Sequence, residues 1–363
     1  MVCGCSVKNW IFFSSVVLAI AYLPGLPPHV KFTPYSVTPP RELTGVLKVN
    51  EKLNGGEKFL LGQLKNPGGV AVANGTLYTG IQGGNVIKII EDKIVPVVNL
   101  AHPCGKVMHL INTKNPIEGK SAMVTNGVTV GSDGSVYWTV SSCEDLFDHS
   151  FPTSFSDPSG RVFKYDPIKK TNTLLIDKMH FPVGIILSTK EDFIVVAETL
   201  SSRLSRYWLS GSKKGKTEVL TDGLPGLPDG LRPNGKGGFF VTTVLPRTPS
   251  VPSPTDILGP YPTIRRFLAR LCYLIEAPFS MIHQAYPNFY TGMIIHWMFN
   301  IELLSPLVPQ GLIVVEVNES GDIIGSLQST DNQVTTASDF VQVENYFYFS
   351  SPANNYLGRV KIS

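Results

Sequence analysis

Short runs in which apolar and polar residues alternate recur along most of the chain, always behind a turn. Gly75-Thr76-Leu77-Tyr78-Thr79, Gly134-Ser135-Val136-Tyr137-Trp138-Thr139 and Asp192-Phe193-Ile194-Val195-Val196-Ala197 are the first three. Gly238-Phe239-Phe240-Val241-Thr242 and Asn345-Tyr346-Phe347-Tyr348-Phe349-Ser350 are the fourth and fifth. Each is followed by a second run of another kind: Asn85–Ile89, Gly160–Tyr165, Ser202–Tyr207, Gly311–Val315 and Gly358–Ile362. β-Branched and aromatic residues at period two predict half-buried strands. Strand pairs repeating at intervals of tens of residues predict a propeller or similar radial array, with a β-sandwich as the alternative.

Two segments break this alternation. Trp10 to Leu23 reads WIFFSSVVLAIAYL, uncharged and apolar, closed by Pro24. It is short for a membrane span, which needs roughly 17–25 residues. One reading is an uncleaved anchor with Lys8 on the cytoplasmic side, the other a signal peptide cleaved after Ala19-Ile20-Ala21. Either sends the remainder into the secretory pathway. In residues 257–308, Ile264, Leu268, Leu271 and Ile275 recur at helical spacing, with Arg265, Arg266 and Arg270 on another flank. That segment reads as a lid over a binding site, an interfacial helix on a bilayer, or plain packing on the rim. The domain plan is therefore an anchor or signal (1–23), a Pro-rich stem (24–44) and a β-domain (45–363) carrying the helical insertion.

Composition narrows the classes. A chain that is 43% hydrophobic and 16% charged is globular rather than disordered. A net charge of +3 is too small to argue for nucleic acid. Cys3 and Cys5 precede the apolar run and are lipidation candidates if it is an anchor. Cys104, Cys143 and Cys272 cannot all pair among themselves; a Cys104–Cys143 bridge is open. Asn74-Gly75-Thr76 and Asn318-Glu319-Ser320 are glycosylation sequons, which expect a lumenal location.

Four phrases carry a family resemblance: Gly160-Arg161-Val162-Phe163-Lys164-Tyr165-Asp166-Pro167, Phe193–Thr199, Arg206-Tyr207-Trp208-Leu209-Ser210-Gly211 and Leu224-Pro225-Gly226-Leu227-Pro228-Asp229. They resemble the strictosidine synthase-like family, related to the paraoxonase and gluconolactonase type of propeller. A membrane-anchored branch of that family shares the N-terminal apolar run and Pro116-Ile117-Glu118-Gly119-Lys120. The resemblance implies an all-β, six-bladed propeller with an N-terminal membrane helix and a helical insertion. Family members place a whole turn-strand-strand segment between a Cys-Gly-Arg-Pro phrase and the Pro-Ile-Glu-Gly-Lys phrase. Here nine residues separate Cys104-Gly105-Lys106 from Pro116, too few for two strands and a turn. One blade is expected to be truncated.

The resemblance also implies chemistry. Relatives with esterase or lactonase activity hold calcium in the central channel, where it polarises a carbonyl and stabilises the oxyanion. Calcium takes six to eight oxygen ligands. Of the family's donor positions, Asn126 and Asp229 are retained. Gly68, Val183 and Gly230 stand where three other donors are lost. One carboxylate and one amide leave a formal ligand charge of −1 against +2, so calcium binding is expected to be weak, and both residues have an alternative role in capping turns. His109 is a weak candidate for the channel base that paraoxonase-like members use, and His180 a weaker one. Glu198 reads as a structural ion pair with Arg203 and Arg206. No G-x-S-x-G, H-E-x-x-H or Walker motif is present. The expected function is a membrane-anchored, calcium-dependent esterase or lactonase of arylesterase type, impaired, acting on a small ester or lactone. A non-catalytic ligand- or protein-binding propeller and an amine-condensing synthase are the alternatives. The expected location is a membrane with a lumenal or extracellular head, or secretion if the signal is cleaved.

Overall fold

The computed structural model describes residues 7–100, 111, 116–143, 155–298 and 311–362. The five paired phrases become the second and third strands of five four-stranded antiparallel sheets. Blade 1 is β2 (Val70–Ala73), β3 (Thr76–Ile81), β4 (Asn85–Ile90) and β5 (Lys93–Asn99). Blade 2 is β6 (Val124–Val130), β7 (Val136–Ser142), β8 (Gly160–Asp166) and β9 (Thr171–Met179). Blade 3 is β10 (Pro182–Leu187), β11 (Phe193–Glu198), β12 (Arg203–Trp208) and β13 (Thr217–Thr221). Blade 4 is β14 (Gly226–Pro233), β15 (Gly238–Pro246), β16 (Leu312–Asn318) and β17 (Ile323–Ser329). Blade 5 is β18 (Asp339–Val343), β19 (Tyr346–Ser350) and β20 (Leu357–Lys361), completed by β1 (Glu57–Phe59) from the start of the domain. Pairing β1 with β20 ties the two ends of the propeller together and covers an edge strand.

The all-β propeller matches the expectation, and the count of six blades is corrected to five among the described residues. Packing between blades shows how five are arranged. Phe193, Val195, Phe239 and Val241 bury the face between blades 3 and 4. Val162, Ile185, Ile194 and Val196 do so between blades 2 and 3, and Val314, Phe340 and Phe349 between blades 4 and 5. Leu357, Val70, Leu77 and Ile87 join blade 5 to blade 1. No such core joins blades 1 and 2 among the described residues. There the outer face of blade 2, with Trp138, Val140 and Phe163, is covered by Ile111, Ile117 and Ala122 from its own lead-in segment.

The N-terminal run is a helix, α1 (Val7–Tyr22). No described helix is long and apolar enough to cross a membrane. The expected N-terminal membrane helix is corrected accordingly: 16 residues at 1.5 Å each reach about 24 Å, short of a hydrocarbon core of about 30 Å. The insertion forms α2 (Pro254–Leu258), α3 (Pro262–Ala285) and α4 (Phe289–Trp297). Ser253 and Asp256 form a reciprocal capping box on α2, with Pro254 opening the helix. The Pro-rich segment lies along the propeller rather than away from it. The Thr33 N–H donates to both Asp157 carboxylate oxygens, at 2.9 and 2.8 Å, and Thr38 donates to Asp222 at 2.8 Å. Arg247, fully buried, ties Asp256 of α2 to the Thr38 carbonyl.

Candidate functional site in the central channel

The innermost strands β2, β6, β10 and β14 and the start of β18 line a channel of about 930 Å³. Three of these strands share a local device. β6, β10 and β14 each shift register against their neighbour, between Thr125 and Val128, Pro182 and Ile185, and Pro228 and Leu231. An extra residue there makes a bulge that re-aims side chains out of the sheet plane. The bulges fall on Asn126-Gly127, Val183-Gly184 and Asp229-Gly230. Each glycine lets the next blade's backbone come close: a Cβ on Gly127 would sit 2.2 Å from the Val183 carbonyl oxygen, and one on Gly184 would sit 2.0 Å from that of Asp229. Gly230 meets the Ser338 carbonyl oxygen in the same way, at 2.5 Å. Hydroxyls latch the same joints. Thr139 donates to the Val183 carbonyl at 2.8 Å, Thr199 to that of Pro228 at 2.7 Å and Thr242 to that of Ser338 at 2.8 Å.

The structure therefore brings both retained positions to the channel wall, on strands separated by β10. Asn126 is exposed, and its amide donates to the Ser141 hydroxyl at 3.4 Å. Asp229 is half-buried and opens only onto the channel. Desolvation pushes its carboxyl up to about 7, helped by the negative charge of Asp339 and opposed by a hydrogen bond from Ser338. Gly68 and Val183 also line the channel and bring no side-chain oxygen, and Gly230 has no room for one unless the strand shifts.

Two wall residues escaped the sequence reading. Arg232 donates through Nε to Asp339 at 2.8 Å and through Nη2 to Asp339 and to the Val70 carbonyl. Asp339 also accepts from the Val70 N–H at 3.1 Å. This guanidinium–carboxylate clamp joins β14, β18 and β2 at the channel. Its signal was present: Ser338-Asp339-Phe340 is the fifth copy of the pattern Asn126-Gly127-Val128, Val183-Gly184-Ile185, Asp229-Gly230-Leu231 and Gly68-Gly69-Val70, with Asp339 in the glycine position.

This donor set does not fit a tight calcium site. Among the described residues no group of three or more His, Cys, Asp or Glu is placed to hold a metal. Asp229 has no cationic partner and is half-protonated near neutrality, while the Asp339 charge is already matched by Arg232.

The remaining sequence candidates lie elsewhere. His109, Cys3, Cys5 and Cys104 lie outside the described residues. His180 is buried away from the channel lining; its Nδ1 meets the Ser201 hydroxyl at 3.1 Å, and burial lowers its pKa to about 4, so it is neutral. Glu198 pairs with Arg203 at 2.8 Å, as expected, but Arg206 turns to Glu218 instead. Asn74 sits in the exposed β2–β3 turn, and Asn318 ends β16 with its side chain bonded to Asp322.

Fold and channel together define a β-propeller with a cavity on its axis. A gluconolactonase from Xanthomonas campestris aligns with 94% of this chain and 99% of its own, at a TM-score of 0.51 and 14% identity, a likeness of fold alone. In sequence, residues 123–212 match strictosidine synthase and residues 45–89 match the N-terminal part of strictosidine synthase-like proteins. The chain is 35% identical to the adipocyte plasma membrane-associated protein Hemomucin of Drosophila melanogaster, across 98% of this chain and 69% of that one. It is 27% identical to the adipocyte plasma membrane-associated protein of Homo sapiens, across 91% and 83%. A strictosidine synthase-like protein of Arabidopsis thaliana is 36% identical over 156 residues, 43% of this chain and 38% of that one. The chain belongs to the strictosidine synthase-like family.

Proposed function

We propose that this chain binds a small organic molecule bearing an ester, lactone or similar carbonyl in its central channel, as an impaired member of the arylesterase and lactonase type of hydrolase. The observation that carries this reading is the uneven channel wall. Asn126 and Asp229 are present, while Gly68, Val183 and Gly230 supply no donor and Arg232 with Asp339 forms a closed ion pair. Val128, Val130 and Ile186 give the wall an apolar surface that favours a ligand over water. The Asn126 amide and, in its protonated form, the Asp229 carboxyl can donate hydrogen bonds, which suits a carbonyl acceptor. Without a strongly held divalent cation the wall binds the ground state and does little for the oxyanion of a hydrolytic transition state.

Calorimetric titration of calcium into the purified chain, beside turnover of an aryl acetate with and without a chelator, tests the reading. The expected result is no binding tighter than about millimolar, the weak end of natural calcium sites, and no chelator-sensitive turnover. Gly68→Glu with Val183→Asn is expected to raise calcium affinity and restore chelator-sensitive turnover. Micromolar calcium binding or chelator-sensitive hydrolysis by the unmodified chain would overturn the impairment and favour the intact calcium-dependent hydrolase.

A further inference from the structure

Every innermost strand repeats one three-residue pattern at the channel, and the third residue closes the joint to the preceding blade. Val70, Ile185, Leu231 and Phe340 hold that place in blades 1, 3, 4 and 5 and are 2–6% exposed. Val128 holds it in blade 2 and is 63% exposed. Val128 and Val130 pair with Trp138 and Val136, so the four share one face of blade 2. Ile111, Ile117 and Ala122 pack on Trp138, and Val128 and Val130 stay outside that cluster. Both line the cavity instead.

The facing wall is also apolar. Ala71, Tyr78 and Val86 come from β2, β3 and β4 and line the same cavity. Ala71 pairs with Tyr78, and Val86 with Gly80 two residues further on. The three therefore lie on the side of blade 1 opposite to Val70, Leu77 and Ile87, which pack against blade 5. Neighbouring strands lie about 4.8 Å apart, so this wall reaches about 10 Å outward from the channel. The cavity of about 930 Å³ is thus an axial channel with a side slot between blades 1 and 2.

Continuity and chemistry decide the occupant. The slot joins the channel on β6 itself, where Val128 stands two residues after Asn126. Its five wall residues carry no charge, and a hydrocarbon chain has no hydrogen bonds to lose there. A cavity of this volume takes one small ligand.

We infer that the seam between blades 1 and 2 is a tail-binding slot, and that the ligand is an ester or lactone bearing a linear hydrocarbon chain. The chain lies between Ala71, Tyr78 and Val86 on one side and Val128 and Val130 on the other. This deepens the carbonyl-binding reading of the channel and rests on it for the ligand's polar end.

Calorimetric titration of the full chain with γ-butyrolactone, which has no tail, and γ-dodecalactone, which has an octyl tail, tests the slot. Each buried methylene is worth about fourfold in affinity, and the long lactone is expected to bind at least about a hundredfold tighter. Ala71→Phe, which fills the slot, is expected to lower that ratio about tenfold or more, and Ala71→Ser to keep it. Val128→Gln with Val130→Gln is expected to lower the ratio as Ala71→Phe does. Asn126→Ala is expected to weaken both lactones and keep the ratio. Bromodecanol, which has a chain and no carbonyl, supplies a readout free of the polar end. It is expected to quench tryptophan emission through Trp138, and γ-dodecalactone is expected to displace it. Equal affinity for the two lactones, or a ratio that no slot variant moves, overturns the slot and leaves the carbonyl reading standing. Quenching by bromodecanol that Ala71→Phe abolishes, with no effect of Asn126→Ala on either lactone, supports the slot and overturns the carbonyl reading. A chain that binds neither probe, or that dimerises through the slot and excludes both, overturns the inference.

Discussion

Blades 3 and 4 meet across a dry core of aromatic and β-branched residues, whereas blades 1 and 2 have no shared core among the described residues. The contrast repeats at every level. Gly184 is pressed against the neighbouring Asp229 carbonyl, but the atom nearest to a Cβ on Gly69 is an Asp339 carboxylate oxygen at 3.6 Å, on the side of blade 5. Thr242 reaches across to the next blade, but Thr79, its counterpart in blade 1, turns back to the Gly69 carbonyl of its own sheet at 3.0 Å. On the blade 2 side of this seam, Val128 and Val130 are 63% and 60% exposed. Blades form from local pattern, since each strand pair satisfies its own ladder. Closing them into a ring depends on contacts between residues far apart in sequence, which the pattern of a single blade does not set.

The largest effect that separates the two regions is expected in their side chains. Phe193 is 3% exposed and lies edge-on to Trp208 and Phe239, with ring centres at 5.2 and 6.5 Å. Phe193→Ala is expected to cost about 3–5 kcal/mol in urea unfolding. Val128→Ala at the seam is expected to change stability by no more than about 0.5 kcal/mol. Similar losses from both would mean that the seam is closed in solution. Glycine replacement sharpens the same point. Gly184→Ala forces a methyl group into a backbone oxygen and is expected to cost about 3 kcal/mol. Gly69→Ala, whose methyl group would meet the Asp339 carboxylate only at an ordinary contact distance of 3.6 Å, is expected to shift stability by less than about 0.5 kcal/mol.

Electrostatics give the next contrast. Asp229 belongs to the closed arc and Asn126 to the open side. The Asp229 carboxyl has a folded pKa of about 7 against an ordinary 3.8, so the folded state favours its protonated form. Its contribution is full below pH 3.8 and disappears as pH rises through 7. Allowing for water in the channel, the loss is expected to be about 2 kcal/mol. The stability of Asp229→Asn relative to the native chain should therefore rise by that amount between pH 4 and 8. Asn126→Asp, at an exposed position, should show no such slope above pH 5. A flat difference for Asp229→Asn would show that water reaches both sites alike.

The sequence pattern revealed the blades because period-two alternation is a property of each strand. All five paired phrases lie at second and third strands. It did not reveal the ring. The figure of six came from the family resemblance, whereas the five paired phrases and the nine residues between Lys106 and Pro116 already pointed to fewer complete blades. The channel was half legible. Asn126 and Asp229 stood out through family phrases, yet the physical reason they face the channel is a bulge and a close-approach glycine, repeated in three strands. Arg232 and Asp339 were missed because their partnership spans 107 residues. The apolar N-terminal run was read as short for a span, with an anchor and a signal peptide both open; the structure shows a helix of 16 residues there, packed on α3.

The smallest effect is the most direct test of closure. Thr242 and Thr79 occupy equivalent places in β15 and β3, and both are buried. The Thr242 hydroxyl accepts from the Gly230 N–H at 2.9 Å and donates to the Ser338 carbonyl at 2.8 Å, so it binds blade 4 to blade 5. Thr242→Val keeps the shape and removes both hydroxyl bonds, while the Gly230 N–H keeps its own bond to the Ser338 carbonyl at 2.8 Å. A cost of about 1–2 kcal/mol is expected. Thr79 donates only within its own blade, to the Gly69 carbonyl, and joins no neighbour, so Thr79→Val is expected to cost about 0.5 kcal/mol. The ratio of the two losses thus measures how much of the hydroxyl's value comes from joining neighbours. Equal losses would mean that the hydroxyls serve their own sheets alone and that the ring is held by its apolar cores.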